Sequence, residues 1–313
     1  MMHPPDRPSV LGAGGDNAIA FAIGVAADEW TLLILRHALQ NGTRRVHDWQ
    51  AVLPVSTAVL TSRLRRMTEV GIFVPVGPGH DPNAVEYHLS RRGTALWPII
   101  VSIWAWEATW ADGQAERLPA MRHRGCGELF APLLGCGTCG RPVPPREVTG
   151  EFGPSGSWPR TAPNTTMRRR SSGSASLGPG FFPQSRALIG NRWSAAMLGA
   201  AYLGARRFSE FQRRLSAPAT VIADRLRTFR DLGVLEVSGD PDRSDRSTYR
   251  LTDKGRAFFP VVMSAIEWGQ RWFLAPEGPA LVFHHRGADH AFSVLLLCSA
   301  CSAPLAGREI EAV

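Results

Sequence analysis

A mainly α chain with small β-wings, α+β in class and built from one module written twice, is what the sequence predicts, and three observations predict it. The first is an internal repeat. At an offset of 162, Gly42, Arg44, Arg45, Leu53, Arg63, Leu64, Gly71, Tyr87, Leu89, Gly93, Pro98 and Trp106 recur as Gly204, Arg206, Arg207, Leu215, Arg225, Leu226, Gly233, Tyr249, Leu251, Gly255, Pro260 and Trp268. Trp30 and Trp193 match after a one-residue shift, and His123, Cys136 and Cys139 meet His285, Cys298 and Cys301 at the same offset. The second observation is that each copy runs through helical apolar periods and then two short alternating segments around a Gly/Pro/Asp-rich loop. The third is the stretch between the copies, residues 149–186, which is dense in Gly, Pro, Ser and Thr and carries no apolar period. Such composition cannot repay its ordering entropy, so it reads as a flexible linker.

Length and composition agree with two domains. The chain has 313 residues and 44% hydrophobic content, enough for real cores. Its apolar runs are broken before the ~18 residues a membrane span needs, and the N-terminus lacks the charged-then-apolar layout of a secretory signal. The expectation is a cytoplasmic, nucleoid-associated protein with no membrane partner. Thirty-five basic against 27 acidic residues give +8, with a pI near 10.0. A polyanionic partner suits that charge, and nearly all of it is Arg, whose fork matches phosphate oxygens and guanine edges. The field is uneven: residues 1–162 carry 15 basic and 14 acidic groups, leaving 20 and 13 for the rest.

In the first copy, Glu29 to Leu39 has helical spacing and stops at Asn41-Gly42. A short helix over Val46 to Val52 follows, then Ser56 caps a third helix that ends at Gly71. Its buried face is expected to be Val59, Leu60, Leu64 and Met67. The opposite face carries Thr57, Thr61, Ser62, Arg65 and Arg66. Strands are expected over Ile72 to Val76 and Val85 to Leu89, with 77–83 as the wing loop. Ser90 then caps a long helix through about Trp110, as Thr252 does in the second copy, and Pro98 and Pro260 should bend these helices. The first long helix is apolar nearly all round, which requires cover, and the sister copy is the natural cover. Three helices with a tight turn before the third resemble a helix-turn-helix, and the two strands add a wing.

The strings EWTLLILRHALQNGTRRVHDWQ, VLTSRLRRMTEVGIF and VEYHLSRRGTALWPII, with RRFSEFQRRL, VIADRLRTFRDLGVLE and STYRLTDKGRAFFP in the second copy, resemble HxlR-type winged-helix transcriptional regulators, relatives of the MarR group. Such regulators generally act as homodimers on palindromic operators, so the resemblance implies a dimer fused into one chain. The redox-sensing members carry a Cys just before the first helix. Here Ala20-Phe21-Ala22-Ile23 stands there, so thiol sensing is not carried over by that route.

The domain reading is winged helix 1 over 17–112, a zinc-ribbon-like hairpin module over 120–148, the linker over 149–186, winged helix 2 over 187–275, and a degenerate ribbon-like module over 281–313. Candidate DNA contacts in the first copy are Arg44, Arg45, Ser56, Thr57, Thr61, Ser62, Arg63 and Arg65. In the second they are Arg206, Arg207, Thr220, Arg225 and Arg227, with Arg243 and Arg246 on the wing. Reach suits these side chains to base edges and phosphates. An ion pair within the fold accounts equally well for Arg63 and Arg225. The second wing also holds Asp240, Asp242 and Asp245, which could pair with its arginines, and the first wing offers only His80. Arg168, Arg169 and Arg170 in the linker read as solvated charge.

All five cysteines lie in the tails. His123, Cys126, Cys136 and Cys139 form two paired-ligand knuckles, the set a structural Zn²⁺ takes tetrahedrally. A redox-active thiol group and unligated cysteines remain as other readings. The second tail keeps His285, Cys298 and Cys301, but Ala288 stands where Cys126 was. His284 or His290 could complete it, though neither has the lost spacing, so a metal-free ribbon is equally consistent. No paired catalytic carboxylates, Ser/His/Asp arrangement or phosphate-cradling loop is convincing, and no enzyme activity is expected.

The leading expectation is a sequence-specific DNA-binding regulator. One chain would act as an intramolecular pseudo-dimer on an imperfect palindrome in double-stranded DNA. The alternatives are a scaffold docking transcription machinery through its ribbons and a thiol- or metal-responsive sensor. Operator, effector, sign of regulation and further self-association are not legible. The Trp residues of the long helices read as packing rather than an effector pocket.

Overall fold

The computed structural model describes residues 7–26, 28–77, 84–161, 182–239 and 247–313. The chain opens with β1 (Ser9–Val10) and α1 (Ala18–Ala26). The first winged helix follows as α2 (Glu29–Asn41), α3 (Val46–Val52), α4 (Thr57–Glu69), β2 (Phe73–Val76), β3 (Glu86–Leu89), α5 (Arg91–Thr94) and α6 (Trp97–Trp110). Local chemistry sets these boundaries. Asp28 accepts from the Thr31 amide to start α2, and Gly42, at φ 64°, ends it. Ser56 caps α4, and Ser90 caps α5 through the Gly93 amide.

The first tail holds β4 (Met121–His123), β5 (Pro132–Cys136) and β6 (Val148–Phe152), then a short α7 (Trp158–Thr161). The second copy gives α8 (Pro183–Ile189), α9 (Arg192–Tyr202), α10 (Phe208–Leu215), α11 (Ala219–Asp231), β7 (Leu235–Ser238), β8 (Thr248–Leu251), α12 (Asp253–Ala257) and α13 (Phe259–Trp272). Its tail is β9 (Phe273–Leu274), β10 (Leu281–His285), β11 (His290–Ala291), β12 (Val294–Cys298) and β13 (Ile310–Ala312).

Three sequence expectations are corrected. Pro98 and Pro260 do not bend one long helix. The chain breaks into α5 and α6, and into α12 and α13, with each proline in the first turn of the second piece, where its missing N–H leaves no helical bond unmade. The stretch 149–186 is structured at both ends, by β6 and α7 and by the start of α8, while 162–181, with Arg168 to Arg170, lies outside the described residues. α1 is additional to the expectation. It is apolar throughout, so no period marks it, and Asn17 caps it through the Ile19 and Ala20 amides.

The third correction is the most consequential. The tails are not self-contained: β4, β5 and β6 each pair with a strand of the other copy, while β10 also pairs β11 as a hairpin within the second. β5 runs antiparallel to β12 with Leu134 opposite Leu296, its own repeat counterpart. β4 pairs β13 with His123 opposite Ile310, and β6 pairs β10 with Val148 opposite His285, the same register under exchange of the copies. The arrangement is isologous in the sense of a twofold dimer interface, within one chain. Strands of three to five residues are too short to stand as isolated hairpins, so pairing across the copies is what gives them a buried face.

The long helices complete the seam. α6 packs on α13, and α1 of the first copy lies against α13 of the second. Trp106 Nε1 donates to the Lys254 carbonyl at 3.0 Å and Trp268 Nε1 to the Arg92 carbonyl at 2.9 Å, again a reciprocal pair. Both indoles are buried, which satisfies the donor while hiding the ring. The N-terminal arm follows the same logic, since β1 pairs in parallel with β9.

Candidate nucleic-acid interface and cysteine–histidine clusters

α4 follows α3 after the short turn at 53–56, and Leu60, Leu64 and Met67 bury it against the domain. Val59, expected beside them, is only half-buried. Ser56, Thr57, Thr61, Arg65 and Arg66 are exposed and share the outward side, with Ser62 half-buried. Gln50 of α3 donates to Thr57 Oγ1 at 2.6 Å, and the Thr61 hydroxyl donates to the Thr57 carbonyl at 2.8 Å. Both hydroxyl oxygens are therefore oriented by the scaffold.

Arg63 is placed differently from the rest of the set. Its Nε donates to Asp28 Oδ1 at 2.8 Å, both side chains mostly buried, so it ties α4 to the cap of α2. Of its two readings, the ion pair is the one that forms. At the matching place α11 has Arg225, which pairs with its neighbour Asp224, because Asn191 caps α9 where Asp28 caps α2. Thr220, Asp224, Arg227 and Arg230 are exposed along α11.

The arginines before the second helices are exposed in both copies. Arg45 pairs with Glu86 of β3 at 2.7 Å, and hydrogen bonds from Arg45 and His88 hold the Glu86 carboxyl below its usual range. The Arg44 and Arg206 carbonyls accept from the Tyr87 and Tyr249 amides at 2.8 and 2.7 Å, which fastens each wing to its helix-turn-helix. The wing tips at 78–83 and 240–246, with His80, Arg243 and Arg246, lie outside the described residues.

The cysteines assemble in a way their spacing does not reveal. The set His123, Cys126, Cys136 and Cys139 does not come together. Instead, His123 and Cys126 meet Cys298 and Cys301 of the other copy, and Cys136 and Cys139 meet His285 and His290. Each cluster keeps its ligating atoms within 4.8 Å of one another. In the first, His123 Nδ1 is 3.4 Å from both Cys126 Sγ and Cys301 Sγ, and Cys126 Sγ is 4.0 Å from Cys298 Sγ. In the second, Cys139 Sγ is 3.6 Å from His285 Nδ1, and Cys136 Sγ is 3.9 Å from His290 Nδ1. His290 thus takes the place vacated at Ala288, two residues later on β11. Hydrogen bonding led by the Arg141 amide holds the Cys139 thiol down to about 6.

Behind each buried histidine stands a carboxylate of the opposite copy. His123 Nε2 is 3.7 Å from Glu309 and His285 Nε2 is 3.8 Å from Glu147. Sequence reasoning passed over both acids, although Arg146-Glu147 recurring as Arg308-Glu309 is a repeat signal that marks them. Among the described residues no single helix is long and apolar enough to cross a membrane; α1 with α2 passes only as a sharply bent pair.

The HxlR-like helix-turn-helix family model matches residues 25–115 and again 188–276. An uncharacterized HTH-type transcriptional regulator of Mycobacterium tuberculosis is 34% identical over 127 residues, 39% of this chain and 78% of that protein. Another, of Bacillus subtilis, is 33% identical over 92 residues, 29% of this chain and 84% of its own length. A solved structure named as a candidate transcription factor, PA1607, is 30% identical, with 44% of this chain and 94% of that chain covered and a TM-score of 0.37. With a helix-turn-helix and a wing in each copy and both copies matched, the chain belongs to the HxlR-like helix-turn-helix family.

Proposed function

We propose that this protein is a sequence-specific DNA-binding transcriptional regulator in which one polypeptide presents two winged helices to the two halves of an imperfect palindrome. Family membership supports the DNA-binding part. The observation that carries the rest is the self-reciprocal seam. Strand registers and the Trp106 and Trp268 hydrogen bonds map onto themselves when the copies are exchanged, as in a twofold dimer. Two heads held this way suit half-sites about one helical turn apart, roughly 34–36 Å.

The heads are not equivalent. Thr57, Thr61 and Ser62 of α4 correspond to Ala219, Ala223 and Asp224 of α11, while Arg65 and Arg227 are retained. Hydroxyls on the first helix can donate or accept at base edges. Asp224 can only accept when ionised, which suits a cytosine amine and opposes phosphate. The half-sites should therefore differ in sequence. The scaffold alternative has less support because β4, β5 and β6 of the first tail are engaged by β13, β12 and β10 of the second.

The test is anisotropy binding of the full chain to promoter fragments across a salt series, followed by footprinting. The expected result is one chain per site, affinity that falls log-linearly with salt at a slope of about −0.9 per phosphate contacted, and two protected segments of unlike sequence one turn apart. A flat salt response, or one protected segment per chain, overturns the reading.

A further inference from the structure

We infer that the chain binds two Zn²⁺ ions, each held by a ligand set drawn half from either copy: His123, Cys126, Cys298 and Cys301 at one site, Cys136, Cys139, His285 and His290 at the other. The metals are intramolecular clasps that join the two halves of the molecule, not supports for a ribbon within each half.

Geometry carries the inference. Tetrahedral Zn–S bonds of about 2.3 Å and Zn–N bonds of about 2.0–2.1 Å place neighbouring ligand atoms about 3.3–3.8 Å apart. Five of the donor separations here run from 3.4 to 4.0 Å, and all of them lie within 4.8 Å. Four donors from N and S atoms leave no open position, which is the structural rather than the catalytic pattern. His123 and His285 turn Nδ1 toward the sulfurs and Nε2 toward Glu309 and Glu147, at 3.7 and 3.8 Å, which is the order of the carboxylate–histidine pairs at metal sites without the hydrogen bond closed. The Nε2 atoms of His123 and His290 are buried with no hydrogen-bond partner.

The knuckle backbones give an independent sign. In the first copy, Gly127 and Gly140 adopt φ 79° and 72°, and their amides fold back on the His123 and Cys136 carbonyls at 2.7 Å each. Their counterparts in the second copy are Asp289 and Ser302, at φ 48° and 60°. A left-handed conformation at residues with a Cβ persists only where the surroundings over-determine it. Four converging ligands would do so, and both turns are kept in the second copy although both glycines are lost.

Binding exchanges thiol protons for metal. With every cysteine bound as thiolate and every histidine neutral, the first site carries a net charge of −1 and the second is neutral. The two ions thus differ in donor set, S₃N against S₂N₂.

Native mass spectrometry of full-length chain purified anaerobically without chelator tests the count, with paired variants testing the partition. Wild type should carry two zinc ions. Cys126→Ser with Cys301→Ser strikes one site and should retain one ion. Cys126→Ser with Cys136→Ser strikes both and should retain none. Ligation within each copy predicts the reverse order for the two pairs and overturns the inference, as do fewer than two ions in wild type. Should the variants fail to fold, ¹¹³Cd-loaded wild type replaces them, with heteronuclear NMR correlations grouping the cysteine Hβ protons by the ion they bind. Cys126, Cys298 and Cys301 on one ion with Cys136 and Cys139 on the other supports the assignment; Cys126, Cys136 and Cys139 on one ion, or fewer than two bound ions, overturns it. None of these readings depends on what the winged helices bind.

Discussion

The two copies agree where they hold each other and differ where they face outward. Across the seam, strand registers, indole hydrogen bonds and the carboxylates behind His123 and His285 all repeat under exchange. On the exposed sides of α4 and α11, Thr57, Thr61 and Ser62 have become Ala219, Ala223 and Asp224. A homodimer cannot separate these two sets of positions, because each mutation appears in both subunits. A fused chain can, and this one has kept the mutual surface reciprocal while its heads diverged. Inside the seam the copies also differ, at Cys126 against Ala288 in the clusters and, among the long helices, at one further exception. Position 107 of α6 is Glu, and its counterpart on α13 is Gly269.

That exception supplies the largest expected effect. Gly269 lets α1 lie directly on α13, and a Cβ there would sit 2.6 Å from the Ala18 carbonyl oxygen and 2.9 Å from Ala22 Cβ. Backbone cannot yield as a side chain can, so Gly269→Val should cost at least about 3 kcal/mol in urea denaturation. An unchanged midpoint would mean that the α1 contact is not part of the stable core. In the other half, Glu107 is fully buried and Oε1 accepts from the Ser185 amide at 2.5 Å, capping α8 where α1 uses its own Asn17. Glu107→Ala leaves that donor unpaired and should cost about 1–3 kcal/mol.

Protonation sharpens the same contrast. Burial raises the Glu107 carboxyl above its usual value of 4.5, against the Ser185 and Gln184 hydrogen bonds and the Lys254 charge that lower it. The folded chain therefore holds this proton more tightly than the unfolded chain does. The contribution to stability is full below about 4.5 and is lost as pH rises through the folded value. Glutamine mimics the protonated form, so the stability difference between Glu107→Gln and wild type should shift in favour of the variant as pH climbs above that point. A difference that stays flat with pH would show that the carboxyl is not titrating in place.

Arg63 and Arg225 occupy one position and play unlike parts. Arg63→Ala breaks a mostly buried pair with Asp28 and should cost about 1–3 kcal/mol, whereas Arg225→Ala, losing only an adjacent surface partner, should cost less than about 1 kcal/mol. Arg65→Ala should leave stability near wild type and reduce the salt slope of DNA binding by about one. If Arg63→Ala instead changes the salt slope with stability intact, its guanidinium reaches phosphate and the pair is dispensable.

These contrasts mark how far the sequence alone could be read. α3 at Val46–Val52 and the caps Ser56, Ser90 and Thr252 were legible because helical period and capping chemistry are local. The repeat also made the cover of α6 by the sister copy legible. α1 was not, since an apolar run without a polar face has no period. The partition of the cysteines was not legible either. Spacing records which residues are neighbours along a knuckle, but a symmetric exchange leaves every spacing unchanged while it swaps all the partners. His290 shows the same limit, because a sheet register rather than a motif brings it to Cys136.

The smallest effect tests the turn that both tails share. Gly140 and Ser302 hold the same left-handed place, at φ 72° and 60°, one with no steric cost and the other against its Cβ. An L-residue there costs roughly 1–2 kcal/mol, partly offset by the greater freedom glycine loses on folding, about 0.5–1 kcal/mol. Ser302→Gly should therefore stabilise the chain by up to about 1 kcal/mol, and Gly140→Ser should destabilise it by a similar amount, both read as shifts in denaturation midpoint. If both substitutions lower stability, the Ser302 side chain contributes something glycine cannot replace. The second knuckle would then be held by that side chain and not by the shape of the turn.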